Sequence, residues 1–192
     1  MPMMIGPYSF EEYLRKVESF HGSIAPGMIA GGIMVDLALR HLPEGEFFDV
    51  LCETAHCLPD AVQLLTPCTI GNGWLKIVNL TRFACTVYNK YNGEGTRAFL
   101  DSEKITKWEE ISCWFFAEKP KSEQNLDRLM QEFRKGGDGI CSIGKVRVAS
   151  CFVTGQEKEK KTVRICPGCH EAFKSNRGEY CPACKGENPY VS

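Results

Sequence analysis

The chain has almost no net charge. Its 23 lysines and arginines oppose 24 aspartates and glutamates over 192 residues, a balance of −1. That excludes the broad positive field that recruits nucleic acid or an anionic membrane. Long apolar runs are missing too: no stretch approaches the roughly 20 residues of a membrane helix. Met1-Pro-Met-Met-Ile-Gly-Pro7 has neither the basic start nor the apolar run of a secretion signal, so the expected compartment is the cytoplasm. No Gly-x-Gly-x-x-Gly turn, flavin fingerprint or iron–sulfur cysteine motif is present. That argues against an oxidoreductase carrying its own electrons. There are no internal repeats and no long low-complexity tracts.

What the chain does have is cysteine, 11 residues of it. Without an export signal these imply a reducing compartment, where structural disulfides are not expected and thiolates are open to metals. Four follow a pattern: Cys166-Pro-Gly-Cys169, eleven residues, then Cys181-Pro-Ala-Cys184. Each pair makes a tight knuckle with two thiolates in reach of one ion. Four thiolates complete tetrahedral Zn²⁺ without a water, the signature of a structural site. Cys52, Cys85, Cys113, Cys141 and Cys151 alternate with apolar residues and read as small hydrophobes.

Periodicity gives the remaining organisation. Ser9 and Glu12 form a capping box for a helix reaching about Ser19, with Phe10, Tyr13, Leu14 and Val17 at helical spacing. Pro26 opens a second, glycine-containing helix that His41-Leu-Pro43 stops. Phe47–Leu51 reads as a strand and Glu53–Leu65 as a third helix. A loop with Gly71 and Gly73 leads to segments 75–79, 83–89 and 96–100, expected as antiparallel strands. Helical pattern returns over Ser102–Ala117 and Glu123–Phe133, and 143–153 reads as a closing strand. Glu157-Lys-Glu-Lys-Lys161 is a charged break before the cysteine module.

A second constellation lies in the first 75 residues. On the expected third helix, Glu53, Cys57 and Asp60 share a stripe at i, i+4, i+7. His21 sits at a helix end beside Gly22, and Cys68 lies in the glycine-bearing loop. One His, two Cys and two carboxylates could meet in a pocket and bind a metal. Taken singly, each also has a bland reading: buried thiol, junction histidine, capping carboxylate.

His21-Gly22, Pro26-Gly27, Glu53-Thr54, Cys57, Asp60-Ala-Val-Gln63, Thr66, Cys68-Thr69 and Gly71 together resemble the FmdE family, the E component of formylmethanofuran dehydrogenase and its relatives. The likeness is good over about residues 15–100, and the four-cysteine tail matches independently. It implies an α+β core of helices on an antiparallel sheet, a pocket at those positions, and a treble-clef-like zinc finger. The family takes its name from a molybdenum or tungsten enzyme of methanogenesis whose redox chemistry resides in other components. Two positions depart from its pattern: Ser23 and Ala25 stand where it has a second His and a Cys. The loop continues Gly71-Asn72-Gly73-Trp74 rather than Gly-Lys-Gly-Asn.

The sequence therefore predicts an α+β core at 5–155, a linker at 156–162 and a zinc finger at 163–188. The expected role is a metal-binding accessory or ligand-binding protein linked to molybdenum or tungsten enzymes. Zinc at Cys166, Cys169, Cys181 and Cys184 is the expected cofactor, with room for a second metal among His21, Cys57, Cys68, Glu53 and Asp60. An oxidoreductase complex is the implied partner, a homodimer is open, and membrane and nucleic acid are not expected. Two rivals stand beside this. One is an enzyme with Cys68 as nucleophile and His21 or Asp60 as base. The other uses the finger to bind protein or nucleic acid, where Arg164, Lys174, Arg177 and Lys185 are offset by Glu171, Glu179 and Glu187.

Overall fold

A computed structural model describes residues 3–43, 45–153, 162–176 and 178–190. The chain separates into two compact units, Met1–Gly155 and Gln156–Ser192. The expected linker residues Glu157 to Lys161, and Arg177 in the finger, lie outside the described residues.

In the first unit, strands β1 (Met4–Ile5) and β2 (Tyr8–Ser9) pair as a small ribbon ahead of helix α1 (Phe10–His21). Ser9 Oγ accepts from the Glu12 N–H, and the Glu12 carboxylate accepts from the Ser9 N–H. That reciprocal box fixes where α1 starts. Gly22, at φ 84°, ends it in the left-handed conformation that glycine adopts without penalty. Helix α2 (Pro26–Leu39) is buried on nearly every side, as its apolar character on all faces requires. It packs on the sheet, on α1 and on the next helix.

That next helix, α3 (Leu58–Leu65), starts five residues later than its sequence pattern predicts. Strand β3 (Phe48–Cys52) continues into Glu53, whose N–H bonds the Ala84 carbonyl. The sheet claims Glu53 before a helix can, so Glu53, Cys57 and Asp60 do not share a helical face. Cys57 instead sits at the head of α3 at φ 53°, ψ −52°, in a γ-turn closed by the Leu58 N–H to the His56 carbonyl. A non-glycine residue in that conformation is strained.

The main sheet has the order β4-β3-β5-β6-β7, adding β4 (Leu75–Ile77), β5 (Ala84–Asn89), β6 (Glu94–Leu100) and β7 (Cys141–Arg147). It is mixed rather than wholly antiparallel: β3 and β4 run parallel, because α3 carries the chain across between them. Val50, Cys52, Cys85, Val87, Ala98 and Leu100 turn to α2 and the core. By the two-residue period, Asp49, Leu51, Glu53, Thr86, Tyr88, Arg97 and Phe99 take the opposite face.

The stretch expected as one helix from Ser102 is two, α4 (Ser102–Ile105) and α5 (Glu109–Phe115). The side chain of Glu132, on helix α6 (Leu126–Gly136), accepts from the Glu110 and Ile111 N–H groups and so caps α5 from outside. Sequence position hides a cap that distant. Past β7 the expected strand gives way to a 3₁₀ turn at Ser150–Phe152. The second unit holds a two-stranded antiparallel ribbon, β8 (Thr162–Ile165) and β9 (Ala172–Ser175), and a 3₁₀ turn at Ala183–Lys185. Among the described residues, no single helix is long and apolar enough to cross a membrane.

Candidate functional site

The four finger cysteines meet at one point. Their ligand sulfurs all lie within 4.8 Å of one another. Cys169 Sγ and Cys181 Sγ are 3.7 Å apart; two thiolates bound tetrahedrally at 2.3 Å would stand about 3.8 Å apart. The knuckle backbone is aimed at the sulfurs: the Cys181 N–H reaches Cys166 Sγ at 3.4 Å and the Cys184 N–H reaches Cys181 Sγ at 3.5 Å. Such donors favour thiolates. The Cys181 N–H is the main reason the Cys166 thiol is pulled down to about 6. Cys184 is pushed up to about 12, chiefly by its contact with Cys166. Four sulfurs gathered at that spacing suit a tetrahedral thiolate set, so the chemistry fits zinc.

The core constellation is looser. His21, in the last turn of α1, meets Asp60, in the first turn of α3, at 2.7 Å between Nδ1 and Oδ2. His21 lies at the C-terminal end of α1 and Asp60 at the N-terminal end of α3, where a carboxylate is favoured. With Nδ1 engaged, the ring has Nε2 left to offer. Gln63 Nε2 steadies the other Asp60 oxygen at 3.4 Å. Cys57 is half-buried, and its thiol is raised first by burial and then by the Asp60 carboxylate. Gly27, at the start of α2, leaves the room that Cys57 fills: a Cβ there would lie 2.9 Å from both Cys57 Cβ and Sγ.

Two expected members are elsewhere. Glu53 is 5% exposed, with its carboxylate held by Arg97 Nε at 2.6 Å, Arg97 Nη2 at 2.9 Å and Arg82 Nε at 2.7 Å. Those contacts, Arg97 first, keep its carboxyl below the ordinary range. Cys68 is fully buried with its Sγ 3.7 Å from the Phe48 carbonyl, and burial pushes its thiol up to about 11. Its charged neighbours are Asp49 and Lys76, an ion pair at 2.6 Å extended by Tyr88 Oη at 2.9 Å from Lys76 Nζ. Among the described residues, the finger cysteines form the one group of three or more such donors within 4.8 Å of each other. The structure therefore pairs His21 with Asp60, sets Cys57 near Asp60 without bringing all three donors within 4.8 Å of one another, and takes Glu53 and Cys68 into other networks.

Sequence reading missed those two networks, Asp49–Lys76–Tyr88 and Glu53–Arg97–Arg82. A signal existed: a charge inside an otherwise apolar strand, as at Asp49, needs a partner on the neighbouring strand. The partners themselves lie 27 and 44 residues away.

Residues 20–150 match the family model "FmdE, Molybdenum formylmethanofuran dehydrogenase operon", and residues 157–191 match "FmdE treble clef zinc finger". A crystal structure of a tungsten formylmethanofuran dehydrogenase FmdE-like protein from Syntrophus aciditrophicus superimposes with a TM-score of 0.91 at 46% identity, covering 100% of both chains. A curated relative from Archaeoglobus fulgidus, "Probable S-adenosyl-L-methionine-binding protein", is 26% identical over 191 residues. That alignment takes in 90% of this chain, which spans about half the relative's length, 52%. With its α+β core, four-thiol cluster and both family matches in place, the chain belongs to the FmdE family and carries that family's treble-clef zinc finger.

Proposed function

We propose that this protein is a metal-binding accessory to molybdenum- or tungsten-dependent formylmethanofuran dehydrogenase-type enzymes, with a structural zinc in the finger and a ligand site in the core. The observation that carries the core reading is the His21–Asp60 pair, oriented at 2.7 Å, with Cys57 near Asp60. Imidazole, thiolate and carboxylate are borderline donors suited to a transition ion. Burial keeps the Cys57 thiol protonated until a cation compensates it. The place of Ser23 and Ala25 in the sequence leaves this set with fewer donors than the finger, so it binds more weakly and keeps positions open for a second ligand.

The test is metal and ligand stoichiometry on the full chain. Purified protein should hold about one zinc. Dialysis against excess zinc should add a second, weaker equivalent that His21→Ala and Cys57→Ser each remove while the first remains. S-adenosyl-L-methionine, the ligand in the archaeal relative's name, belongs in the same titration as a second ligand. No second equivalent in excess zinc and no heat with S-adenosyl-L-methionine would defeat the core reading.

A cysteine-dependent enzyme is the second reading, and the strained backbone at Cys57 moves it there from Cys68. Cys68 is fully buried, whereas Cys57 is half-buried at a γ-turn near Asp60; burial and that carboxylate raise its thiol too, so attack requires His21 to take its proton. Alkylation of Cys57 well ahead of Cys68 at neutral pH, abolished by His21→Ala, favours this reading over the metal site.

A further inference from the structure

On the sheet face turned away from α2, the Glu53 carboxylate carries more positive charge than it can neutralise. Arg97 grips it with both arms of its fork, at 2.6 and 2.9 Å. That bidentate contact already satisfies one carboxylate. Arg82 adds a second guanidinium, its Nε 2.7 Å from the same carboxylate, and its side chain is 60% exposed. Among the described residues Glu53 is the one acid that Arg82 pairs with. The cluster is left with one surplus positive charge and a guanidinium edge facing outward.

That edge opens on a cavity of about 270 Å³, lined by Arg82, Arg97, Phe83, Phe99 and Phe115 among others. Among the described residues, no carboxylate lines it. The Arg97 guanidinium lies 5.0 Å from the centre of the Phe99 ring, within cation–π range. Arg82 is tied down as well: its N–H donates to the Glu53 carbonyl at 3.3 Å, as does the Leu80 N–H at 2.9 Å, and Thr81 between them sits at φ 57°. Both guanidiniums are thus anchored from below by a buried carboxylate and presented upward beside aromatic rings.

We infer that this cavity is a binding site for an anionic group borne on an aromatic ring, a carboxylate or a phosphate ester. The guanidinium fork matches either oxyanion in two-point geometry. The phenylalanines match a flat ring in offset or edge contact. A volume near the lower end for ligand pockets suits a small molecule or one end of a larger one. Glu53 acts as a positioning residue: it neutralises one guanidinium and so leaves room for a single anionic charge. Phe83 brings the cavity wall near Cys57, since a Cβ on Gly27 would lie 3.7 Å from Phe83 and 2.9 Å from Cys57, but the inference does not rest on how the His21–Asp60 corner is read.

The probes are benzoate and phenyl phosphate, with benzamide as the uncharged match, titrated into the full zinc-loaded chain at fixed ionic strength. Trp114, 6.2 Å from the Phe83 ring and 5.9 Å from Phe115, reports binding by fluorescence. Arg82→Gln is the informative variant, because Arg97 still satisfies Glu53 and the fold stays intact. One of the two anions should bind saturably, at least tenfold more tightly than benzamide, and which one binds identifies the oxyanion. Arg82→Gln should weaken it at least tenfold, with Arg82→Lys retaining part. Phe115→Ala should weaken it with no change in the salt dependence. Equal binding of benzamide, no saturable binding of either anion, or wild-type affinity in Arg82→Gln at an unchanged melting temperature would each overturn the inference.

Discussion

Glu53 sits at the end of β3 with both oxygens on guanidinium groups, almost out of reach of water. Arg97 is the main cause of its depressed titration. Its folded value lies below the unfolded one, so its stabilisation is present above the ordinary carboxylate range, near about 4.3. That contribution is lost as pH falls through the folded value. Glu53→Gln keeps the shape and removes the charge, leaving two guanidiniums with no counter-ion. The expected loss is about 1–3 kcal/mol at pH 7, below that of a fully buried pair because water reaches Arg82 and part of Arg97. The loss should shrink toward pH 3, where wild type gives up the same contribution. Urea midpoints for both proteins across that range measure it, and a penalty independent of pH would contradict the ionic account. The residue is legible in the sequence as chemistry but not as geometry. Glu53-Thr-Ala-His-Cys57 offers nothing local against a helix, while the partner that decides its place is 44 residues downstream.

Among the elements, those set by local signals are readable from sequence and those set by distant ones are not. The α1 box at Ser9 and Glu12, Gly22 at its end and Pro26 at the head of α2 are all within a few residues of what they control. The α4/α5 break, the parallel β3–β4 pair and the external cap from Glu132 depend on chain that has to arrive from elsewhere. Helix α2 shows how sequence and packing interlock. Its glycines lower helix propensity, yet Gly32 lies under the Tyr13 ring, whose hydroxyl donates to the Met28 carbonyl at 3.0 Å. A Cβ at Gly32 would sit 2.4 Å from Tyr13 Oη and 2.5 Å from Cζ. Gly32→Ala gains up to about 1 kcal/mol of helix propensity. The displaced ring should cost more, for a net destabilisation of about 1–3 kcal/mol typical of an overpacked core. Chemical denaturation decides the sign, and a stabilised Gly32→Ala would show that α1 can shift away freely.

At the level of the whole molecule, the two units draw on different sources of stability. Met1–Gly155 contains the continuous apolar core, from Ile5 to Cys141. The second unit offers little to bury: Val163, Ile165, Tyr180 and Tyr190 are exposed, and Cys166 and Cys181 are its buried residues among those described. So short a module cannot fold on apolar burial alone. Its order must come from the ion that joins Cys166, Cys169, Cys181 and Cys184, which makes binding and folding one event. This is the most legible site in the sequence because two local knuckles specify it, whereas the His21–Asp60 pair exists only once α1 and α3 have been brought together. Cys181→Ser removes a buried ligand and the sulfur that accepts the Cys184 N–H. The full-length variant should lose its single zinc and become protease-sensitive throughout 162–190. The core should keep its cooperative thermal transition within a degree or two of wild type. Acidifying wild type should reproduce the loss, since protons compete for all four thiolates. Zinc analysis, limited proteolysis mapped by mass, and calorimetry read the three outcomes separately. Retained stoichiometric zinc would disprove the ligand set, and a collapsed core transition would show that the core depends on the finger.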